Sequence, residues 1–481
     1  MTEVLGASAL PPPERRIYCN RTLNLRAIRA IGYDLDYTLV HYRVEPWERR
    51  AYRELQEKLA VQGLPVEDLE FDSELVTRGL VVDTELGNLV KASRFGYVTR
   101  AAHGTRLLSF DELRGTYGRT LVDLTERRWV FLNTLFELSE GCMFAQLVDR
   151  LDAGRLPAGL GYPELYRAVR KGLDEAHLEG ELKGDIVADP DAYLEPDPEV
   201  APALLDQRES GKVLLVVTNS DWAYTRRMLD VTLTPFLPAG VRWRELFTLV
   251  ICSARKPDFF SRSMPAFEVS GDDNLLRAAP GGIRAAGAWI GGDAGQVQEF
   301  LGVPGEDILY VGDHIVTDVQ VTKAVLRWRT ALVLRELEEE LTALASFRDR
   351  QAELGRLMDE KVRLEYAMSG ARLGLLRAEG RYAQAPAAAG ALRGQIARLR
   401  EAISALDERI GPLARESGEL LNRRWGLLMR AGNDKSLLAR QVEGYSDVYT
   451  SRVSNFLFET PFSYLRAPRG SLPHDDLPCA E

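Results

Sequence analysis

Residues Ala27 to Tyr42 read AIRAIGYDLDYTLVHY, an apolar approach that stops abruptly at Asp34 and then places a second acid at Asp36. Ala30 to Tyr33 has the length and character of a short buried strand, so both carboxylates fall at its carboxyl end. In an open parallel sheet, ligands bind in the crevice beyond that end. Two acids two residues apart at such an edge can divide the work, one attacking an electrophile and the other moving a proton. Their mutual repulsion is most easily relieved by a bound cation. Taken alone, the pattern is equally compatible with a strand running into a polar turn, and the later segments decide between the two.

The chain has 481 residues, enough for two or three domains with proper cores. Its net charge of −10 argues against a nucleic-acid surface, which needs a basic face. Four cysteines (Cys19, Cys142, Cys252, Cys479) lie far apart without a C-x-x-C pair, which suggests reduced thiols in a cytoplasmic protein. The opening MTEVLGASALPPPERR lacks a basic start followed by an apolar core, so no secretory leader is expected. No apolar run approaches membrane-spanning length, and no membrane partner is expected.

Three more buried-strand candidates follow, each ending in residues suited to phosphate chemistry. KVLLVVTNS (Lys212 to Ser220) is a continuous apolar run of the kind buried on both faces, and it ends in Thr218, Asn219 and Ser220. LFTLVIC (Leu246 to Cys252) leads into SARKPDFF, which puts Lys256 just beyond a strand end. DILYVGDHIVTD contains the strand Ile308 to Val311, a Gly312 suited to a tight turn, and then Asp313 and Asp318. Acids at this edge would complete an oxygen-rich cation site.

Between these strands, Glu48 to Val61 has helical spacing, Arg78 to His103 reads as a β-meander, and Trp129 to Asp149 reads as helical again. Tyr162 to Lys183 also reads as one helix, on which Arg170, Asp174 and His177 share a face. By themselves these three fit a solvated Arg–Asp pair beside a histidine. After Arg335 comes a helical excursion. Leu392, Ile396, Leu399, Ile403, Leu406, Ile410 and Leu413 alternate steps of four and three, a coiled-coil seam. Glu379 to Gly390 suits the turn of a helical hairpin, which serves either as a structural spar or as an oligomer arm.

The four ordered motifs resemble those of the haloacid-dehalogenase-like hydrolases: DLDYT, the Thr218 that follows LLVV, Lys256, and GDHIVTD. Within that superfamily the chain resembles the cytosolic purine (IMP/GMP-preferring) 5′-nucleotidases, through GYDLDYTLVHY, RGLVVDTELGNLVK, AHG, LNTLF, VTNSDWAYT, ARKPDFF, DILYVGDHI, PFSYL and PHD. The resemblance implies an α/β fold, a Rossmann-like haloacid-dehalogenase core with an α+β cap inserted after the first motif and a C-terminal helical hairpin. The expected division is core 15–45, cap 46–205, core 206–335, hairpin 336–428 and a C-terminal segment, 429–475, packing on the core.

The resemblance also implies roles. Asp34 would be the nucleophile and Asp36 the acid and base. Mg²⁺ would be held by Asp34, the main-chain carbonyl of Asp36 and Asp313, with Asp318 in the outer shell. Thr218, Asn219, Ser220 and Lys256 would grip the phosphate. Phe136, Arg170, Asp174, His177 and Lys183 would form the substrate pocket, with Arg170 and Asp174 suited to O6 and N1–H of a 6-oxopurine. The expected partner is a nucleoside monophosphate, and a homo-oligomer is expected. Two departures stand out. Leu178 replaces an aromatic beside the pocket histidine. Val316, Asp123 and Ala324 stand where animal members carry an aromatic and basic residues of an effector site, so allosteric activation is not expected. Alternatives are a phosphatase of another small ester, or a nucleotidase-derived scaffold acting through its hairpin.

Overall fold

The computed structural model describes residues 11–270, 275–380 and 382–470, without the side chains of residues 177–179. Cys479, the PHD of residues 473–475 and the side chain of His177 therefore lie outside the described residues. The chain divides into two compact units, residues 1–338 with 428–481, and residues 339–427.

The larger unit is built on a ten-stranded sheet. Its parallel strands are β1 (Ala30–Tyr33), β2 (Val213–Val217), β3 (Leu249–Cys252), β4 (Gly287–Gly291), β5 (Ile308–Gly312), β6 (Arg329–Val333) and β7 (Val448–Thr450). They lie in the order β7-β6-β5-β1-β2-β3-β4. Antiparallel strands extend both edges, Tyr18–Cys19 beside β7, and Ala266–Ser270 with Leu275–Ala279 beyond β4. The inner strands β1, β3 and β5 are buried along their whole length, as continuous apolar runs covered on both faces require.

Strand order sets the site. From β1 the chain builds outward through β2, β3 and β4, then returns to the other side of β1 with β5. Tyr33 of β1 is aligned with Val216 of β2 and Val311 of β5, so three strand ends meet at this reversal. A crevice forms where neighbouring connections diverge in this way.

The segment between β1 and β2 carries a separate five-stranded antiparallel sheet and several helices. The meander is present as Val81–Asp83, Asn88–Ala92 and Val98–His103. Two expected boundaries are corrected. Trp129–Phe131 is not helical but an edge strand paired with Val81–Asp83; the helix begins only at Leu138 and runs to Asp152. A short apolar run reads the same in either state, and here the unpaired edge of the meander decides. Thr134 and Glu137 then cap the turn that separates strand from helix. The helix from Tyr162 ends at Glu179, because Gly180 adopts φ +82°, and Lys183 sits on a second helix, Glu181–Ala188.

The smaller unit contains two long helices, α1 (Arg348–Gly380) and α2 (Ala389–Gly418). Leu354 and Leu357 of α1 pack with Leu406, Ile410 and Leu413 of α2. All seven seam positions of α2 are buried or half-buried. The observed architecture is thus the expected one: an α/β core, an α+β insert after the first motif and a C-terminal helical hairpin.

Candidate active site

Asp34 is the first residue beyond β1, and its N–H donates to Val311 O at 2.9 Å, which continues the sheet pairing by one step. Its Oδ1 accepts from Leu35 N at 2.7 Å and pairs with Lys256 Nζ at 2.8 Å. The same ammonium donates to Asp318 Oδ1 at 2.7 Å and to Tyr310 Oη at 3.2 Å. Asp313 follows β5, where Thr134 Oγ1 reaches its carboxylate at 3.3 Å and Arg78 donates to its main-chain carbonyl. Asp318 lies in a π-helical turn, Ile315–Gln320, that folds back on the strand end. Gly312 makes that approach feasible, since a Cβ there would come within 2.6 Å of the Asp318 side-chain carbons. Its contribution is close packing, not the tight turn expected from sequence.

Ligating oxygens of Asp34, Asp313 and Asp318 lie within 4.8 Å of one another, and all three residues are buried. Burial pushes the Asp34 carboxyl up to about 7; Lys256 opposes this, while Asp318 and Asp36 add to it. Burial and the neighbouring Asp318 and Asp34 hold Asp313 well above the usual carboxylate range. Burial disfavours the Lys256 charge, but Asp318 and Asp34 outweigh it and hold the ammonium well above its ordinary value. Lys256 pairs with two of the three carboxylates and Arg78 offsets the third only in part, a donor set and charge deficit that fit a hard divalent cation.

Asp36 is held on both oxygens. Tyr42 Oη donates to Oδ1, and Ser220 Oγ donates to Oδ2 at 2.6 Å. Tyr42 Oη lies 2.9 Å from Tyr224 Oη, and Lys183 Nζ donates to Ser220 Oγ at 3.0 Å. Just after Asp36 the chain turns sharply, with the buried Tyr37 at φ +53°. Asn219 has both ends of its amide engaged by the Lys256 main chain, accepting at 2.6 Å and donating at 3.2 Å. It thereby fixes the loop that carries Lys256. Thr218 is buried at the end of β2, and its Oγ1 accepts from Ser220 N at 3.0 Å.

A cavity of about 340 Å³ opens beside these groups, lined by Asp36, Trp47, Phe136, Leu182, Lys183, Asn219 and Ser220. Phe136 packs against Tyr37 and Trp47, with ring centroids 4.6 and 5.2 Å away. Of the expected pocket residues, Phe136 and Lys183 reach this wall. Arg170 instead pairs with Glu137 at 3.1 Å, Glu140 at 2.8 Å and Asp174 at 3.4 Å. Burial pushes Glu140 up to about 7 despite the adjacent guanidinium. Asp123 and Val316 both line a second cavity of about 680 Å³, in which Ala324 takes no part.

Several of these residues escaped the sequence reading: Tyr42 on Asp36 with Tyr224 behind it, Arg78 and Thr134 on Asp313, Tyr310 on Lys256, and Glu137 with Glu140 on Arg170. Tyr42, Tyr224, Arg78, Thr134 and Tyr310 all lie within the stretches that carry the resemblance, whereas Glu137 and Glu140 lie outside them and carried no local signal.

A 5' nucleotidase family model matches residues 17–477. A 5'-nucleotidase domain-containing protein of Dictyostelium discoideum is 24% identical over 472 residues, covering 95% of this chain and 74% of that protein. The 5'-nucleotidase domain-containing protein 1 of Bos taurus is 28% identical over 345 residues, covering 65% and 74%. Among solved structures, a haloacid dehalogenase-like family hydrolase from Xanthomonas campestris shares 12% identity at a TM-score of 0.25, covering 64% of this chain and 82% of that one. An archaeal β-phosphoglucomutase from Pyrococcus shares 11% at 0.31, covering 64% and 87%. Superpositions this loose add nothing to the assignment, which the family match carries from one end of the chain almost to the other: the chain belongs to the 5' nucleotidase family.

Proposed function

We propose that this protein is a Mg²⁺-dependent 5′-nucleotidase that hydrolyses purine nucleoside monophosphates, IMP and GMP foremost, through an aspartyl-phosphate. The observation that carries the reading is the pairing of two differently held acids. Asp34 lies against Lys256 at the reversal of strand order, and Asp36 faces the cavity with both oxygens engaged.

In the proposed reaction an Asp34 carboxylate oxygen attacks phosphorus, and the bond from phosphorus to the ribose 5′-oxygen breaks. Asp36 delivers its proton to that leaving oxygen. It then takes a proton from water, whose oxygen attacks phosphorus and releases phosphate from Asp34. Lys256, with Thr218 and Ser220, bears the phosphoryl charge, while Asn219 keeps the Lys256 loop in place. Asp34, Asp313 and the Asp36 carbonyl would hold Mg²⁺ with Asp318 behind them, and the ion would supply charge neutralisation for the incoming phosphate.

For the base, Phe136 offers a stacking face and Lys183 a charge at the mouth. Arg170 retains 41% side-chain exposure although three carboxylates hold it, so it is oriented without being covered. In this reading Arg170 meets O6 and Asp174 meets N1–H, a pattern that adenine reverses. The insert over residues 46–205 would act as the cap that brings these groups to the base. The pairing of Arg170 with Glu137 and Glu140 favours a second reading, a phosphatase of another small phosphate ester.

Phosphate release from a nucleotide panel, with Mg²⁺ and with chelator, separates the two. Two mismatches at groups that the bound base would cover, at roughly 1–3 kcal/mol each, give IMP and GMP about a hundredfold advantage over AMP, and chelator abolishes turnover. Purines are also expected to outrun CMP and UMP. Equal rates on IMP, AMP and a sugar phosphate would remove the base-recognition assignment and leave the second reading.

A further inference from the structure

The helices α1 and α2 bury one face of α1 and leave the other uncovered. Leu354 and Leu357 turn toward α2. Around the helix from them, turned outward, Met358, Val362, Tyr366, Leu373 and Leu376 are 37%, 58%, 83%, 46% and 60% exposed. With the exposed Ser369 between them, these positions fall in an arc of about 80° around the helix axis. Isolated exposed apolar residues are ordinary, but five in one narrow stripe along most of a long helix are not.

We propose that this stripe joins two copies of the chain through an antiparallel α1–α1′ pairing, centred between Ala367 and Met368. Three features of the stripe select a second copy and this direction. The stripe is close to palindromic about that centre: Met358 meets Leu376′, Val362 meets Leu373′, and Tyr366 meets Ser369′. Size is complementary as well, because the largest side chain, Tyr366, comes to rest over Ser369′ and Gly370′, the smallest surface on the stripe. In a parallel pairing Tyr366 would instead abut its own copy, and the two Ser369–Gly370 hollows would face each other unfilled.

Charge agrees with the same direction. Antiparallel helices bring like flanks together, so Glu365 faces Arg372′ along one flank and Asp359 faces Arg377′ along the other. Symmetry doubles each pair. The contact spans about 27 Å of helix and covers on the order of 1,000 Å² over both copies, near the lower bound for a specific interface. The dimer is therefore concentration-dependent, with association in the micromolar range. It involves none of the residues assigned to hydrolysis, so it stands or falls independently of the proposed reaction.

Sedimentation equilibrium of the full chain tests the proposal. Wild type is expected to pass from monomer to dimer with rising concentration. Tyr366→Glu combined with Leu373→Glu raises the dissociation constant about thirtyfold or more, with helix content by circular dichroism and phosphate release unchanged. Glu365→Arg and Arg372→Glu each weaken the dimer, and the double variant restores it. For direction, Val362→Cys and Leu373→Cys proteins are oxidised separately and mixed: a cross-linked dimer is expected in the mixture and in neither protein alone. A wild type that stays monomeric throughout, a dimer indifferent to the paired glutamates, or cross-links formed within each single variant would overturn the proposal.

Discussion

Asp36 is the residue whose surroundings set it apart from an ordinary surface acid. Tyr42 and Ser220 each donate to one of its oxygens, and Tyr224 backs Tyr42. Tyr42 also packs its ring on Trp47 and Tyr37 at centroid distances of 4.5 and 5.2 Å, so Tyr42→Phe removes the hydroxyl while keeping the packing. In the proposed mechanism that hydroxyl orients the acid toward the leaving oxygen. Tyr42→Phe is therefore expected to lower kcat on IMP by about ten- to a hundredfold. p-Nitrophenyl phosphate, whose leaving group needs no proton, should be slowed far less. Equal losses on both substrates, in steady-state assays, would reduce Tyr42 to a packing role. The acids themselves were legible in the sequence because Asp34 and Asp313 each end an apolar run, with Asp36 and Asp318 close behind them. Ser220 and Lys256 were legible beside them, but the supporting contacts were not: Tyr42 and Tyr224 are 182 residues apart, and Arg78 is 235 residues from Asp313. No local pattern encodes contacts that only the closed sheet creates.

At the scale of elements, legibility followed burial. The strands β1, β2, β3 and β5 were readable because a strand covered on both faces must be apolar throughout, and few other segments of this chain are. The α2 seam was readable because seven apolar residues at steps of four and three leave little choice. Trp129–Phe131 was misread because three residues carry no period, and its state depends on a neighbour forty-odd positions earlier in the chain. The break at Gly180 was hidden because the helical pattern on both sides continues across it. The hairpin lies in its own compact unit, and every group assigned to hydrolysis lies in the other. Excising about residues 344–420 and closing the gap with a short linker should leave kcat on IMP within about threefold of the full chain, because no assigned group is removed. A folded, monodisperse deletion variant that no longer releases phosphate would show that the hairpin shapes the active site.

For the whole molecule, the decisive relation is between sheet order and charge. Strand order reverses at β1, three strand ends converge there, and the chain places Asp34, Asp313, Asp318 and Lys256 at that point. Burying Asp34, Asp313 and Asp318 with only Lys256 and Arg78 to offset them is costly unless a cation completes the site, so the arrangement fits a site for chemistry better than one for stability. In the proposed reaction Asp34 attacks phosphorus, and a covalent intermediate would form there. Rapid quench of the full-length protein with ³²P-labelled IMP and Mg²⁺ under single-turnover conditions tests this most directly. Acid-stable, hydroxylamine-labile label is expected on the peptide that carries Asp34, appearing before free phosphate and absent from a folded Asp34→Asn variant. Phosphate release with no protein-bound label at any time, or turnover in Asp34→Asn within about tenfold of wild type, would contradict it.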